Sequence, residues 1–292
     1  MTAQPDVLRR YPDTEWGKGP SAGLELEVEQ GRVLVFPQLR FVLQPQEQRF
    51  LDAKWADGKA KNISLRATDG SLRGAVGEEA DRVVLHAMLE RYRDQSEALV
   101  ARLFPHYRGV LRRGNTSYRP VAVEGRETSW RKDDSRLHVD AFPSNPVHGV
   151  RLLRVFHNLH PDGAPRRWRV GEPFDSFAVR YLRGIPRPVP GSAWLLQRLH
   201  VTKARRSEYD HLMLQLHDRV KADLAYQREA PQLAVEFSPG TTWIVFSDQV
   251  LHAAMGGQYM MEQTLYLDPD RQQQPSLSPL KVLERLTERA LL

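Results

Sequence analysis

The sequence predicts a mainly β fold with helical additions, a closed antiparallel sandwich or jelly roll with α-helices packed outside. Short β-rich runs bounded by Gly, Pro, Asn or Asp form two blocks, at about 137–182 and about 233–268. A stretch with helical periodicity separates the blocks, and a long helix with apolar residues at helical spacing precedes them. Two such blocks bury their apolar faces when they close on one another.

The opening part of the chain, 1–130, contains flanking strands and a helix. Segments 24–29 and 32–36 are predicted to be extended, and a helix is predicted over about 79–104. A buried stripe on this helix is predicted for Val83, Val84, Leu85, Met88, Leu89, Leu99 and Val100.

Residues 131–270 are predicted to form the jelly-roll core. The first block offers LHVDAF, GVRLLRVFHNL, RRWRV and SFAVRYL, and the second offers LAVEF, TTWIVFSD, HAAMGG and YMMEQTLYLD. A helical insertion near 190–230 follows the Pro-rich segment IPRPVPG, and a C-terminal helix closes the chain within 271–292. No linker long enough to separate domains interrupts the sequence, so one domain over 1–292 is expected.

Composition narrows the classes of site. The chain has no cysteine, so any metal must be held by nitrogen and oxygen ligands. Its net charge is +6, and Arg supplies most of the 42 basic residues, which suits an anionic substrate but also fits a GC-rich genome. The sequence contains no signal-peptide core and no apolar run that spans a bilayer, so a cytoplasmic protein is expected.

A candidate metal site begins with His138 and Asp140. On a strand, residues two positions apart share one face, so both side chains can bind one ion. His252, which follows the apolar strand of the second block, offers a third ligand and completes a facial triad of the kind that holds iron(II). An isolated His-x-Asp pair also arises by chance, and a lone His252 is commonly a hydrogen-bonded core residue.

Three other histidines, His148, His157 and His160, share no single strand face and are predicted to be loop or solvent residues. Arg154 lies among apolar residues of a predicted strand, where an arginine is rarely buried without a partner. It is a candidate for binding a carboxylate, or for pairing with an acid of the protein.

The runs HVDAFPSNPVHGVRLLRVFHNLHP at 138–161 and RRWRVGEPF at 166–174 closely resemble the Kdo 3-hydroxylase family. The resemblance extends more loosely over most of the chain, including YRP at 118–120 and TTWIVFSDQVLHAAMGGQ at 241–258. It implies a double-stranded β-helix (jelly roll, cupin-like) that uses iron(II) and 2-oxoglutarate, with ascorbate as reductant, to convert Kdo to Ko on Kdo-lipid A of lipopolysaccharide.

The resemblance also implies roles for particular residues. It places His138, Asp140 and His252 on iron, makes Arg154 the anchor for 2-oxoglutarate, and puts Arg119 and Trp168 in the substrate or cofactor pocket. Many 2-oxoglutarate oxygenases carry an Arg roughly ten residues after the second His, whereas MMEQTL stands here at 260–265. The anchor must then come from another strand.

Two other functions remain open at this point. A jelly-roll hydrolase or isomerase would use zinc or manganese at the same ligands without 2-oxoglutarate. A basic nucleic-acid-binding module is suggested by net charge and by VLRRGNTSYRP at 110–120, although no familiar nucleic-acid motif is present and no nucleic acid is expected. A Kdo-lipid A substrate implies peripheral contact with the inner membrane surface.

Overall fold

The computed structural model describes residues 7–125 and 128–292, and in these ranges it contains seven α-helices and eleven β-strands. The helices are α1 (Glu25–Glu29), α2 (Glu79–Leu103), α3 (Phe174–Leu182), α4 (Ser192–Arg198), α5 (Glu208–Ala222), α6 (Leu224–Glu229) and α7 (Pro279–Thr287). The strands are β1 (Leu8–Arg10), β2 (Val33–Phe36), β3 (Ile63–Leu65), β4 (Leu72–Arg73), β5 (Arg112–Arg119), β6 (Arg151–Asn158), β7 (Arg166–Val170), β8 (Leu233–Phe237), β9 (Thr242–Phe246), β10 (His252–Gly256) and β11 (Met260–Leu267).

The strands form two sheets. The large sheet has the order β1-β2-β9-β6-β11-β5-β3-β4, and the small sheet has the order β10-β7-β8. Only the β1–β2 pair is parallel among the ladders of the described residues. The predicted mainly β jelly roll with outer helices is confirmed.

An aromatic core lies between the two sheets. Phe156 on β6 and Trp243 on β9 face Trp168 on β7 and Phe237 on β8. The Phe237 and Trp243 rings stack with centroids 4.1 Å apart, and Phe156 meets Trp168 edge-on at 5.2 Å. Burying each such ring contributes on the order of 2–3 kcal/mol, so this cluster fixes the separation of the sheets next to the candidate site.

Helices pack in two clusters, one on the large sheet and one beside the candidate site, whereas the outer face of the small sheet leaves Arg167 and Glu236 exposed. Helix α2 packs on the large sheet, where the Tyr92 hydroxyl donates a 3.0 Å hydrogen bond to the Val155 carbonyl. Helices α3, α5 and α7 form a second cluster around Leu137 and Val139, the apolar residues that alternate with His138 and Asp140. None of the helices in the described part of the chain combines the length and apolar character needed to cross a membrane.

Two predicted strands are wrong. The segment at 24–29 contains α1, in which Glu25 and Glu29, one helical turn apart, are both buried and accept hydrogen bonds. The run SFAVRYL belongs to α3, whose buried residues Phe174, Phe177, Ala178 and Tyr181 follow a 3.6-residue period after Pro173 at the N-cap. Short apolar runs fit both periods, and tertiary packing decides between them.

Two further segments differ from what the sequence predicts. LHVDAF is extended but forms a single bridge, between His138 and His252, rather than a full strand. The basic segment VLRRGNTSYRP contains β5, which pairs with β11 and β3 inside the large sheet. Its backbone is therefore paired within the sheet, and the Arg112 and Arg113 side chains at its start are exposed.

His157 was expected in a loop, and this prediction is wrong because the residue lies buried in β6. Its Nδ1–H donates to Thr242 Oγ1 at 2.9 Å, and its Nε2 accepts the Phe41 N–H at 3.2 Å. Thr242 donates its own proton to the Leu39 carbonyl, which fixes this tautomer. Burial, with the nearby positive charge of Arg40, lowers the pKa of His157 to about 3.

We expect this histidine to make the fold less stable in acid. The unfolded chain takes up a proton near pH 6.5 while folded His157 stays neutral, so its contribution is complete above that pH and is lost as pH falls toward 3. Between about pH 6 and pH 4, the free energy of unfolding should fall by about 2.5 kcal/mol more in the wild type than in His157→Gln. The glutamine amide retains one donor and one acceptor but does not titrate. Urea unfolding at each pH measures this difference, and parallel pH curves would contradict it.

Candidate functional site

The structure brings together the three predicted metal ligands. The His138 N–H donates to the His252 carbonyl and the His252 N–H to the His138 carbonyl, both at 2.9 Å. The Asp140 N–H donates to the Ser247 carbonyl at 2.9 Å. These bonds hold the first block against the start of β10, and one ligand atom from each side chain lies within 4.8 Å of the other two.

Backbone carbonyls orient both imidazoles. His138 Nδ1 lies 2.7 Å from the Arg136 carbonyl, and His252 Nδ1 lies 2.8 Å from the Val250 carbonyl. A carbonyl only accepts, so each Nδ1 carries the proton and each Nε2 keeps a lone pair for an ion. Burial is the largest cause that lowers the pKa of both histidines, and it keeps the rings neutral.

Asp140 is the candidate oxygen ligand. Burial alone would raise its pKa, but the Arg154 guanidinium and the two imidazoles hold that pKa below its usual range, so the group is a carboxylate. Its Oδ2 is buried and accepts no hydrogen bond, although Arg154 Nη2 lies 3.3 Å away. Two neutral imidazole nitrogens and one carboxylate oxygen are a donor set that suits iron(II). An iron(II) ion held by these three groups on one face keeps its other coordination positions open.

Arg154 extends from β6 toward the ligands. It pairs across the sheet with Thr264 on β11, and its side chain is 11% exposed. Its Nη1 lies 3.1 Å from Glu262 Oε1, while its buried Nε has no hydrogen-bond partner. The nearby Asp140 and Glu262 carboxylates outweigh burial and raise the pKa of Arg154, which stays charged.

Arg119 lies at the end of β5 on the far side of Glu262. Its Nη2 donates to Glu262 Oε2 at 2.8 Å, and its Nη1 lies 3.9 Å from Asp134 Oδ2. Burial opposes ionisation of Glu262, but Arg154 and Arg119 lower its pKa below the usual value. An alternating series of charges thus runs from Asp140 through Arg154 and Glu262 to Arg119, and it fixes the position of each guanidinium.

Trp168 is buried on β7 and contacts a metal-ligand candidate directly. Its ring stacks on His252, with centroids 5.0 Å apart and planes inclined by 22°. Its indole Nε1 is buried without a hydrogen-bond partner. The side chain therefore belongs to the aromatic core and also restrains the His252 ring.

Arg151 lies at the start of β6, on the opposite face of the strand from Arg154. It is fully buried, and it donates to Asp248 Oδ2, Gln249 Oε1 and Gln272 Oε1 at 2.6–2.7 Å. Because Asp248 and Gln249 belong to the turn between β9 and β10, Arg151 fixes the turn that carries His252. It is a structural residue that the sequence did not reveal.

The other histidines separate into three environments. His148 lies in a loop, as expected, with its Nε2 2.7 Å from the Arg205 carbonyl. His160 follows the end of β6 and is half-buried outside any strand. His217 on α5 was not predicted, yet its ring lies edge-on to His138 at 5.5 Å.

Glu262 and Asp134 are the charged residues of the site that sequence reasoning missed. Glu262 shares one face of β11 with Met260 and Thr264. A carboxylate among buried strand residues needs a charged partner. That signal was present in the sequence. Asp134 lies in an irregular segment, where it binds Lys61 and Arg119, and no periodicity marks it.

Comparison with known proteins agrees with this geometry. The sequence profile of the 3-deoxy-D-manno-oct-2-ulosonic acid (Kdo) hydroxylase family matches residues 13–290. A crystal structure of the Kdo hydroxylase KdoO, a non-heme Fe(II) α-ketoglutarate dependent dioxygenase, in complex with α-ketoglutarate and Fe(III), is 43% identical with a TM-score of 0.94 over 98% of both chains. The cobalt(II) complex of KdoO is 44% identical with a TM-score of 0.95, over 98% of this chain and 97% of that one.

The complex of KdoO with succinate and Fe(III) is likewise 43% identical, with a TM-score of 0.94 over 98% of this chain and 97% of that one. Comparison with curated protein sequences gave no match. Because the profile spans nearly the whole chain and the structural similarity covers 98% of it, the chain belongs to the Kdo hydroxylase family.

Proposed function

We propose that this protein hydroxylates carbon 3 of Kdo to form Ko on Kdo-lipid A, and that it releases succinate and CO2 from 2-oxoglutarate. As a Kdo hydroxylase it is a non-haem iron(II) and 2-oxoglutarate dependent dioxygenase that acts on a Kdo-containing substrate. The observation that carries the finer proposal is the buried triad of His138, Asp140 and His252 with Arg154 beside it. We also propose that 1–292 forms a single dioxygenase domain.

His138, Asp140 and His252 are the proposed iron ligands. Each imidazole presents Nε2 because a backbone carbonyl holds Nδ1, and Asp140 presents a carboxylate already ionised by its surroundings. Bound iron(II) supplies oxidative chemistry with dioxygen, and three protein ligands leave room for a chelating co-substrate. The protein's own contribution is to hold the reacting C–H bond in place and to exclude water.

Arg154 is the proposed anchor for the distal carboxylate of 2-oxoglutarate. Its guanidinium carries five donors and contacts two protein carboxylates, and its Nε still lacks a partner. Thr264 pairs with Arg154 on the neighbouring strand, and its hydroxyl donates a 3.2 Å hydrogen bond to Glu262 Oε1, the carboxylate that Arg154 also contacts.

Arg119 and Trp168 are the proposed pocket residues. Arg119 holds Glu262, and through it the position of Arg154, while its own buried Nε has no hydrogen-bond partner. Trp168 closes one side of His252 and presents an unpaired indole N–H. Both residues therefore retain polar atoms that can meet an acid or hydroxyl group of a ligand.

Mass spectrometry of the product tests the reaction and the substrate together. We expect purified protein with iron(II), 2-oxoglutarate, ascorbate as reductant and Kdo-lipid A to add one oxygen atom per lipid. Omission of 2-oxoglutarate, or replacement of iron by zinc, should prevent this addition. Iron(II) without the co-substrate does not support the oxidation, and zinc, which has no redox chemistry, does not support it either. Unchanged lipid mass in the complete mixture, or conversion that needs no 2-oxoglutarate, would contradict the proposal.

We place the protein in the cytoplasm, with peripheral contact at the inner membrane where its proposed glycolipid substrate resides. The basic net charge of +6 supports approach to a phosphorylated lipid surface.

A further inference from the structure

The segment 185–206, between α3 and α5, exposes an unusual amount of apolar surface. Val189, Trp194, Leu195, Leu199 and Val201 are 72%, 59%, 48%, 61% and 50% exposed. Helix α4 lies within this segment, and none of its seven residues is buried. Scattered exposed apolar residues are normal, but a cluster of this kind, with a tryptophan, marks an interaction surface.

The same segment is strongly basic. It contains five Arg and Lys residues and no Asp or Glu. Arg187, Arg198, Lys203 and Arg205 are exposed, and within the described residues none of these four side chains forms an ion pair. Trp194, Arg198 and Lys203 line one open depression of about 510 Å³, so apolar and cationic groups share one surface.

Hydrogen bonds fix the segment to the rest of the fold at both ends. Near its start, the Pro186 carbonyl lies 2.9 Å from His211 Nε2 on α5. Near its end, the Lys203 N–H donates to the Ser144 carbonyl at 2.9 Å, and the Arg205 carbonyl lies 2.7 Å from His148 Nε2. Ser144 and His148 belong to the loop that follows Asp140, so these hydrogen bonds connect the exposed segment to the part of the chain that carries a candidate ligand.

We propose that segment 185–206 docks on the surface of an anionic lipid bilayer, and this rests on the proposed function insofar as the substrate is a glycolipid. Trp194, Leu195 and Leu199 enter the boundary between headgroups and acyl chains, where tryptophan is favoured, and the surrounding cations contact lipid phosphates. A second copy of the chain fits poorly, because a symmetric contact would place like charges together. A nucleic acid would leave the apolar side chains uncovered.

Vesicle sedimentation with the full chain tests membrane docking by segment 185–206, and it requires no enzymatic hydroxylation. The wild type should bind vesicles of phosphatidylglycerol and phosphatidylethanolamine, and bind phosphatidylcholine vesicles far more weakly. The triple variant Trp194→Ser/Leu195→Ser/Leu199→Ser should bind anionic vesicles at least about tenfold more weakly. The variant Arg198→Gln/Lys203→Gln should lose about fivefold in affinity for each cation removed, and added salt should abolish that difference.

A matched control removes similar apolar area elsewhere. Val42, Val83 and Leu224 are 72%, 58% and 54% exposed, and their triple Ser variant should bind vesicles like the wild type. Equal binding by both triple variants, or no binding of the wild type to anionic vesicles, would overturn the dock. Concentration-dependent dimers that disappear in the Trp194 variant would instead assign the surface to a second copy, and would also overturn it.

Activity on a deacylated, water-soluble Kdo substrate separates the two proposals. The Trp194→Ser/Leu195→Ser/Leu199→Ser variant should keep wild-type turnover of that substrate while losing turnover of Kdo-lipid A in vesicles. Vesicle binding by a wild type that hydroxylates neither substrate would leave the dock in place and reject the proposed function. Hydroxylation without vesicle binding would do the reverse.

Discussion

Asp140→Ala should abolish both substrate hydroxylation and succinate formation. The variant loses the oxygen ligand of the proposed iron site, and it also leaves the nearly buried Arg154 without one of its two carboxylate partners. His138→Ala and His252→Ala should have the same effect, because each removes a neutral imidazole whose Nε2 faces the site. Coupled assays of lipid hydroxylation and succinate, with metal content measured on the same samples, detect the loss.

His148→Ala and His160→Ala are the controls for this experiment. Both histidines lie outside the cluster of three ligands, in loop positions, so both variants should keep most activity and most iron. Retained turnover in Asp140→Ala and His138→Ala would remove the proposed site. Loss of activity in the controls alone would point to a different centre.

Arg154→Ala should weaken binding of 2-oxoglutarate by roughly thirty-fold to a few thousand-fold while iron binding survives. Truncating one member of a buried charge pair costs on the order of 2–5 kcal/mol, and each 1.4 kcal/mol is about tenfold in affinity. The physical basis is a guanidinium 11% exposed, with a free Nε, on the strand next to the ligands. Titration of anaerobic iron-loaded protein, followed by the visible band of the chelate, measures the affinity.

A conservative variant and a control variant accompany the affinity measurement on Arg154→Ala. Arg154→Lys keeps the charge but loses the planar fork, so its affinity should fall between those of the wild type and Arg154→Ala. Arg113→Ala removes an exposed guanidinium paired with Glu97 and should leave the affinity unchanged. Arg151 is unsuitable as a control because it is buried and holds the turn before His252. Unchanged affinity in Arg154→Ala would transfer the assignment to Arg119.

The features that local patterns determine were predictable from the sequence. Alternation placed His138 and Asp140 on one side and Leu137 and Val139 on the other, and the structure buries those two apolar residues among helices. The apolar spacing at 79–104 correctly predicted α2, although Val83, expected in the buried stripe, is exposed. The absence of cysteine restricted candidate metal ligands to nitrogen and oxygen donors, and the ligand atoms of His138, Asp140 and His252 lie within 4.8 Å of one another.

The features that depend on distant contacts were not predictable. His157 is buried because Phe41 and Thr242, from two remote segments, satisfy both of its ring nitrogens. Arg151 is buried because three side-chain oxygens from other parts of the chain converge on its guanidinium. Single-sequence patterns describe periodicity along one segment, whereas a buried polar residue is decided by which partners tertiary structure brings to it.

The reciprocal backbone hydrogen bonds between His138 and His252 have a consequence for how the protein acquires iron. They join two segments far apart in sequence, and both imidazoles take their orientation only once that junction is closed. If His138, Asp140 and His252 are the iron ligands, we expect a partly unfolded chain to bind iron weakly, because the site forms only on folding. An ion held by residues from both segments would bind the folded chain alone, so metal loading should raise the free energy of unfolding of the whole protein.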